Sequence, residues 1–570
     1  MSAGWIAASL LLPMALAALL ALEPLRRALL PVAWSAPLPA LLLALSGDTD
    51  SRLALPWMLT GVALGLDELG QIFLLFTALL WLASGLYAYV MLKGKDGEAR
   101  FHAFFLLAMA GNLGVILARD MAGFYLFFVL MSFAAYVLVI HDGSGEARRA
   151  GTIYLVLVVI GEALVVAGVL MAAAAAGPGF DGLPARLAGA PDLPLIAALL
   201  LAGYGIKAGV VPLHVWLPLA HPVAPTPASA VLSGAMIKTG LLAWLRFLPL
   251  GEVAAPTAGE LCIAFGMLSA FFGAAVGVTQ TNAKTVLAYS SVSQIGLMTV
   301  GVGVGLAAPE TWPVVAGAVA VYALHHGLAK GALFLGVGIA AKGPQRALYR
   351  YAVPAGLLLP ALALAGAPLT SGMPAKALLK EAIYRSGEPW AALLLVLLPL
   401  AAVGTTLLMA RFLVLAWPRG RSPERVPPGL LLPWALLLAA VALLAWIEFF
   451  AKPVDTPPPA LSVADAWSYF WPVALGGALA LALGKLAGWR GRVIPPGDLL
   501  VPVSALLARV QAPLARAMAA GPPAWTPPPL APALARVRAI EARLGRWAVA
   551  MSLFVVLALA LAAAVAISSP

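Results

Sequence analysis

About sixteen stretches of roughly twenty mostly apolar residues, separated by short polar links, leave this chain few folds to choose from. A helix of that length crosses the hydrocarbon layer of a bilayer, and there every backbone N–H and C=O must be bonded within the protein. The stretches fall near 5–22, 28–46, 70–92, 101–118, 122–140, 152–175, 194–220, 226–248, 258–279, 285–306, 313–339, 352–384, 390–416, 428–448, 468–488 and 546–568. Composition agrees. Of 570 residues 62% are hydrophobic and 10% charged, where soluble chains carry about a quarter charged. The period-2 alternation of a membrane barrel is absent. The expected fold is therefore an all-α polytopic membrane protein with about 16 transmembrane helices. The first stretch lacks the basic start of a signal peptide and more spans follow it, so it counts as a span.

Basic residues give the orientation. Arg26 and Arg27; Lys93, Lys95 and Arg100; Arg148 and Arg149; Lys342, Arg346 and Arg350; and Arg419, Arg421 and Arg425 all fall in alternate loops. The opposite loops hold only scattered cations: Arg52, Arg119, Arg186, Arg385 and Lys452. Basic loops stay cytoplasmic, which places both termini outside, periplasmic if the membrane is a bacterial inner membrane, and favours an even number of spans. The net charge of +11 is thus explained by topology, without a nucleic-acid partner. The single Cys262 excludes a disulfide framework, and GxxxxGK[ST], CxxCH and HExxH motifs are missing. No cofactor, metal or catalytic chemistry of the chain's own is expected. The polar segment 489–545 holds two amphipathic runs parted by Pro522 to Pro529. These read either as a brace against a neighbouring subunit or as helices resting on lipid.

Inside the spans lie charges that are expensive there, at ~2.5 kcal/mol or more each on insertion scales. Glu162, Lys207 and Lys238, then His325, His326 and Lys330, then Lys376, Lys380 and Glu381 all interrupt apolar runs. His326 and Lys330 are four apart and share a helix face, as do Lys376 and Lys380. A lone buried histidine is ordinarily a packing residue, but central lysines in four segments are hard to explain by packing. Leaving water disfavours an amine's charged form and a nearby carboxylate restores it, so such groups suit proton storage and hand-off, with histidine as an intermediate station. Asp67 and Glu68, at the start of their stretch, read as outer-interface residues.

Two of the lysine-bearing stretches are also broken. Pro212, Pro218, Pro222 and Pro225 follow Lys207, and Pro368, Ser371-Gly372 and Pro374 precede Lys376. Discontinuous helices at membrane depth line polar cavities. If 101–248 and 258–417 are two five-helix units, a break and a lysine fall at matching places in each, and an odd helix count inverts one unit relative to the other. The remaining divisions are 1–100 (the first three helices), 428–488 (two more), the cytoplasmic segment 489–545 and a final helix in 546–570.

The runs GYGIKAGVVPLHVWLPLAHPVAPTPASAVLSGAMIKTG, NAKTVLAYSSVSQIG and HHGLAKGALFLGVG resemble the antiporter-like subunits of respiratory complex I (the L, M and N types), of Mrp-type Na+/H+ antiporters (the A and D types) and of membrane-bound hydrogenases, with wording nearest hydrogenase-4 component B. The resemblance covers roughly 60–420. It implies a fourteen-helix core with inverted repeats of helices 4–8 and 9–13 and breaks in helices 7 and 12. It further implies that Lys207 carries protons in the first half-channel, Lys238 passes them inward, His326 and Lys330 sit at the centre, and Lys376 serves the output half-channel. Lys284 matches too, although its position also suits snorkelling. One departure stands out: the family's helix 5 glutamate is missing, since no acid lies between Phe124 and Tyr136. Glu162 is the candidate substitute. The resemblance implies other membrane subunits, H+ with or without Na+, and lipid as partners, within an NADH:quinone oxidoreductase-like, hydrogenase or Mrp-type translocase. A gradient-coupling scaffold that has lost transport, and a stand-alone carrier of small organic solutes, are the competing readings.

Overall fold

Apolar stretches that leave water must close their own hydrogen-bond ladders, and the computed structural model of the chain is accordingly helical. It describes residues 2–56, 58, 61–342, 347–417, 426–451, 463–487 and 494–502. The predicted span 546–568, the amphipathic runs beyond 502, Lys452 and the loop arginines 346, 419, 421 and 425 lie outside these. In chain order the helices are α1 (Ser2–Leu19), α2 (Glu23–Leu29), α3 (Leu38–Ser46), α4 (Glu68–Leu92), α5 (Glu98–Leu117), α6 (Met121–Val139), α7 (Gly145–Ala176), α8 (Leu183–Ala188), α9 (Leu193–Ala208) and α10 (Trp216–Val223). They continue as α11 (Thr226–Val231), α12 (Lys238–Phe247), α13 (Pro256–Val278), α14 (Ala283–Ala307), α15 (Trp312–Ala341), α16 (Ala347–Ala365), α17 (Gly372–Arg385), α18 (Ala391–Ala416), α19 (Pro428–Ala451) and α20 (Val463–Ala487). Among the described residues 11 helices are long and apolar enough to cross a membrane, or 12 if one bent pair counts as a span.

The expected single helix over 28–46 is a correction. Pro31, Pro37 and Pro39 stop the ladder, so α2 ends at Leu29 and α3 begins at Leu38 after a 3-10 turn at Ala33–Ser35, the two parts bent by 65°. A short hairpin also appears where no strand was expected. β1 (Arg52–Leu55) pairs antiparallel with β2 (Val62–Gly65). The α5–α6 turn holds it: Asp120 accepts from the Ala63 amide at 2.7 Å, and the Arg119 amide donates back to Ala63 O at 2.8 Å.

Successive helix ends collect on opposite faces. On the first, Asp67 caps α4 by accepting from the Gly70 amide and pairs with Arg246 and Arg119, and Arg119 also holds Asp181. Buried Arg246 donates to Val115 O, Ile116 O and Ala118 O as well, covering carbonyls at the end of α5. Asp67 is thus a structural clamp of that face. On the other face Arg411 donates to Gln280 O and Gln280 to Ile494 O.

The centre is α14, α15 and the α11–α12 span, whose apolar windows are wholly buried, while α7, α18, α19 and α20 form the periphery. Central helices approach closely through glycine. A Cβ on Gly327 of α15 would lie 2.7 Å from Gly234 O, and one on Gly234 would lie 2.8 Å from Gly327 O. Residues Leu232–Met236 between α11 and α12 form a π-turn, a feature often found at functional sites. Together these set Lys238 against α15.

A file of buried amines

Both expected breaks are present, and each has a lysine beside it. α9 ends at Gly209, whose φ of +81° suits glycine. The chain resumes as α10 at Trp216, whose indole donates to Ile206 O at 2.7 Å. Lys207, one residue from the break, donates to Ser132 Oγ on α6 at 3.1 Å and to Tyr154 OH on α7 at 3.2 Å. Its Nζ also lies 5.7 Å from the Phe128 ring centroid and 5.6 Å from that of Tyr154, within cation–π range. Glu162 lines the same small cavity, yet its two buried oxygens accept no hydrogen bond. The structure therefore brings Glu162 and Lys207 to one cavity without a direct contact, and Ser132 occupies the place beside the amine on the acid-free helix.

At the second break α16 ends at Ala365, Gly366 turns at φ +83°, and α17 begins at Gly372. Lys376 reaches back to Ala365 O at 2.6 Å, bonding a carbonyl that the interruption of the helix leaves open. Its cavity is shared with Lys380, Pro399, Ser468 and Tyr469. Lys380 itself is exposed, and Glu381 pairs with Arg385 on the helix surface, so these two predicted charges are peripheral.

Between the breaks lie the other amines. Lys238 donates to Ser233 O in the π-turn, Ser233 and Ser291 share a 2.7 Å hydroxyl contact, and Lys330 donates to Leu287 O at 2.6 Å. His326 is fully buried with neither nitrogen bonded, and lies within electrostatic reach of Lys238 and Lys330. His325 contacts Ser371 Oγ through Nδ1 at 2.8 Å, reaching the second break, and feels Lys376. No carboxylate contacts Lys238, Lys330 or Lys376 among the described residues; backbone carbonyls hold all three. Lys284 is half-buried and donates to Ala224 O at the end of α10 at 2.8 Å.

Sequence reasoning missed several members. His221 on α10 is fully buried, stacks on Phe334 and lies within reach of Lys330, Lys284 and Lys238. A histidine in an apolar run carries the same signal as His325, but this one sits among the prolines that mark the break. Ser132, Ser233 and Ser291 bear no charge and so give no signal, and Ser371 marks the second break in the sequence without announcing its contact with His325. His214 and Tyr289 meet Asp498, a carboxylate 284 residues from the histidine.

Fold and site together define an antiporter-like membrane subunit. The family model described as "NADH:quinone oxidoreductase/Mrp antiporter, TM" matches residues 118–400. Over these residues the chain is a member of this family, the one to which complex I and Mrp antiporter subunits give their names. Among curated relatives, hydrogenase-4 component B of Escherichia coli is 28% identical over half of this chain, but the match spans only 44% of that protein's length. The D-subunit of a Na(+)/H(+) antiporter from Bacillus subtilis is 26% identical, covering 66% of this chain and 79% of its own. The N-subunit of an NADH-quinone oxidoreductase from Moorella thermoacetica is 28% identical, covering 72% and 88%. In fold, the chain resembles one in the Mrp complex of Dietzia sp. DQ12-45-1b, with TM-score 0.76, 22% identity and coverage of 99% of this chain and 63% of that one. It also resembles a chain of the archaeal membrane-bound sulfane sulfur reductase, with TM-score 0.64, 21% identity and coverage of 84% and 99%.

Proposed function

We propose that this chain moves protons across a bacterial inner membrane as one subunit of a larger complex, with both termini periplasmic. Protons pass by way of Glu162 and Lys207, Lys238, Lys330 with His326 and His325, and Lys376, with Na+ as the candidate ion for exchange. The half-channels follow the two proposed five-helix units, 101–248 and 258–417. The observation that carries the reading is the bonding of the amines. Among the described residues, Lys238, Lys330 and Lys376 are held by carbonyls and by no carboxylate, an arrangement with no value as a fold-stabilising ion pair and with freedom to gain or lose a proton. Coulomb coupling in a low-dielectric interior passes each change of charge to the next group. The other subunits, or an ion gradient, supply the energy, since the chain has no nucleotide or redox motif. The relatives named for Mrp antiporters and for quinone-linked complexes support this reading.

The test is proton flux in vesicles containing the assembled complex. Lys207→Ala and Lys330→Ala should abolish flux with assembly intact; pumping retained in either variant overturns the wiring.

A second reading, a coupling scaffold that has lost transport, is favoured by one observation: Ser132, not an acid, faces Lys207. Ser132→Asp discriminates. A parent without flux that gains it in this variant supports the scaffold; a parent with flux supports the relay.

A further inference from the structure

Past α20 the chain returns to the protein body. Ile494 exchanges bonds with the α13–α14 turn, its carbonyl accepting from Gln280 at 2.8 Å and its amide donating to Thr279 Oγ1 at 3.3 Å. A tight turn follows, with the Asp498 amide donating to Pro495 O and Gly497 at φ +87° packed on Leu219 of α10. The turn drives Asp498 inward until its side chain is 3% exposed. There Oδ2 accepts from Tyr289 OH at 2.5 Å and lies 3.2 Å from His214 Nε2, while the Leu499 amide donates to Oδ1.

His214 lies in the break itself, between α9 and α10, seven residues beyond Lys207. It is fully buried, its Nδ1 has no partner, and its ring meets Phe272 edge-on at 5.2 Å. Among the described residues, the titratable groups facing Asp498 are His214 from the break and Tyr289 from α14, and its own turn contributes amides. Burial pushes the Asp498 carboxyl up, but His214, Tyr289 and the Leu499 amide outweigh it and hold it below the usual carboxylate range. A buried carboxylate, an imidazole and a phenol drawn from three distant parts of the chain have no packing purpose that apolar residues would not serve better.

We propose that Asp498, His214 and Tyr289 form a proton-binding latch that fastens the segment after α20 over the mouth of the first broken span. With a proton held between the Asp498 carboxylate and the imidazole, the charge-assisted bond holds the segment down. Loss of that proton from the pair weakens the bond and releases the turn, exposing the break to water. The latch itself does not depend on transport; its role in admitting protons rests on the function proposed above.

Two measurements on the full-length chain in its membrane complex test these parts separately. Hydrogen–deuterium exchange of residues 494–502 is followed from about pH 5.5 to 8.5 and divided by the rate of an unstructured peptide at each pH, because amide exchange is itself base-catalysed. The resulting protection should fall at least five-fold toward high pH in the parent. In Asp498→Asn it should be low and independent of pH, and Asp498→Glu should recover the pH dependence. Protection that is flat with pH in the parent, or that still follows pH in Asp498→Asn, overturns the latch. Proton flux in vesicles should fall or lose its pH profile at least ten-fold in Asp498→Asn, with recovery in Asp498→Glu. Flux and profile matching the parent overturn the link to proton entry even when the exchange result stands. A parent without flux also removes that link and counts against the relay, while the exchange result still decides the latch.

Discussion

Replacing Lys330 by methionine should make the protein more stable and useless as a proton carrier. The amine is fully buried, and its one direct bond is to Leu287 O at 2.6 Å. That carbonyl also accepts from Ser291 Oγ at 3.1 Å, so losing the lysine does not orphan it. A hydrogen bond of this kind contributes about 0.5–1.5 kcal/mol net. Setting an ionisable group at membrane depth costs about 2.5 kcal/mol or more. Methionine fills nearly the same volume with a flexible apolar chain. The difference predicts a gain on the order of 1–2 kcal/mol and proton flux reduced to background. Thermal unfolding of the purified chain in detergent, parent beside Lys330→Met, gives the stability arm; flux in vesicles gives the other. If Lys330→Met lowers stability by more than ~1 kcal/mol, comparable to the hydrogen bond lost, the amine is a structural strut and the argument from its bonding fails.

Asp67 should behave in the opposite way. Asp67→Asn leaves buried Arg246 without its counter-charge and should destabilise by about 2 kcal/mol, below the usual 3–5 for a broken buried pair because Arg246 keeps three carbonyl acceptors. Burial raises the Asp67 carboxyl, but Arg246 and Arg119 overrule it and hold it below its ordinary value. Its contribution is therefore present above the unfolded-state value near ~4 and is lost as pH falls through the depressed folded one. Melting curves taken from pH 6 downward should fall more steeply for the parent than for Asp67→Asn. Gly327→Ala, whose new Cβ meets Gly234 O at 2.7 Å, should cost about 1–3 kcal/mol by overpacking and impair flux, whereas Gly317→Ala on the same helix meets nothing within 4 Å and should be silent in both assays.

The breaks were legible because proline and glycine announce them: Pro212 and Pro218 mark the first, Ser371-Gly372 and Pro374 the second. The amines were legible because charge inside an apolar run needs a reason. What holds the amines was not. Leu287 O, Ser233 O and Ala365 O are main-chain atoms that every residue carries, and only three-dimensional placement makes them acceptors. The π-turn at Leu232–Met236 has no residue signature, and nothing near Asp498 in the chain foretells a histidine 284 positions away. The split of 28–46 was visible in its three prolines, but an apolar average over twenty residues hides them.

The carbonyl seats of Lys238, Lys330 and Lys376 have a consequence for traffic. A carbonyl dipole steadies a cation without cancelling it, so every charge admitted repels the next along the row. In the proposed relay, occupied stations would not crowd together, and passage would be single-file, each arrival waiting for a departure. Such a row would keep count of its passengers, as a machine that ties ion steps to a partner's cycle requires.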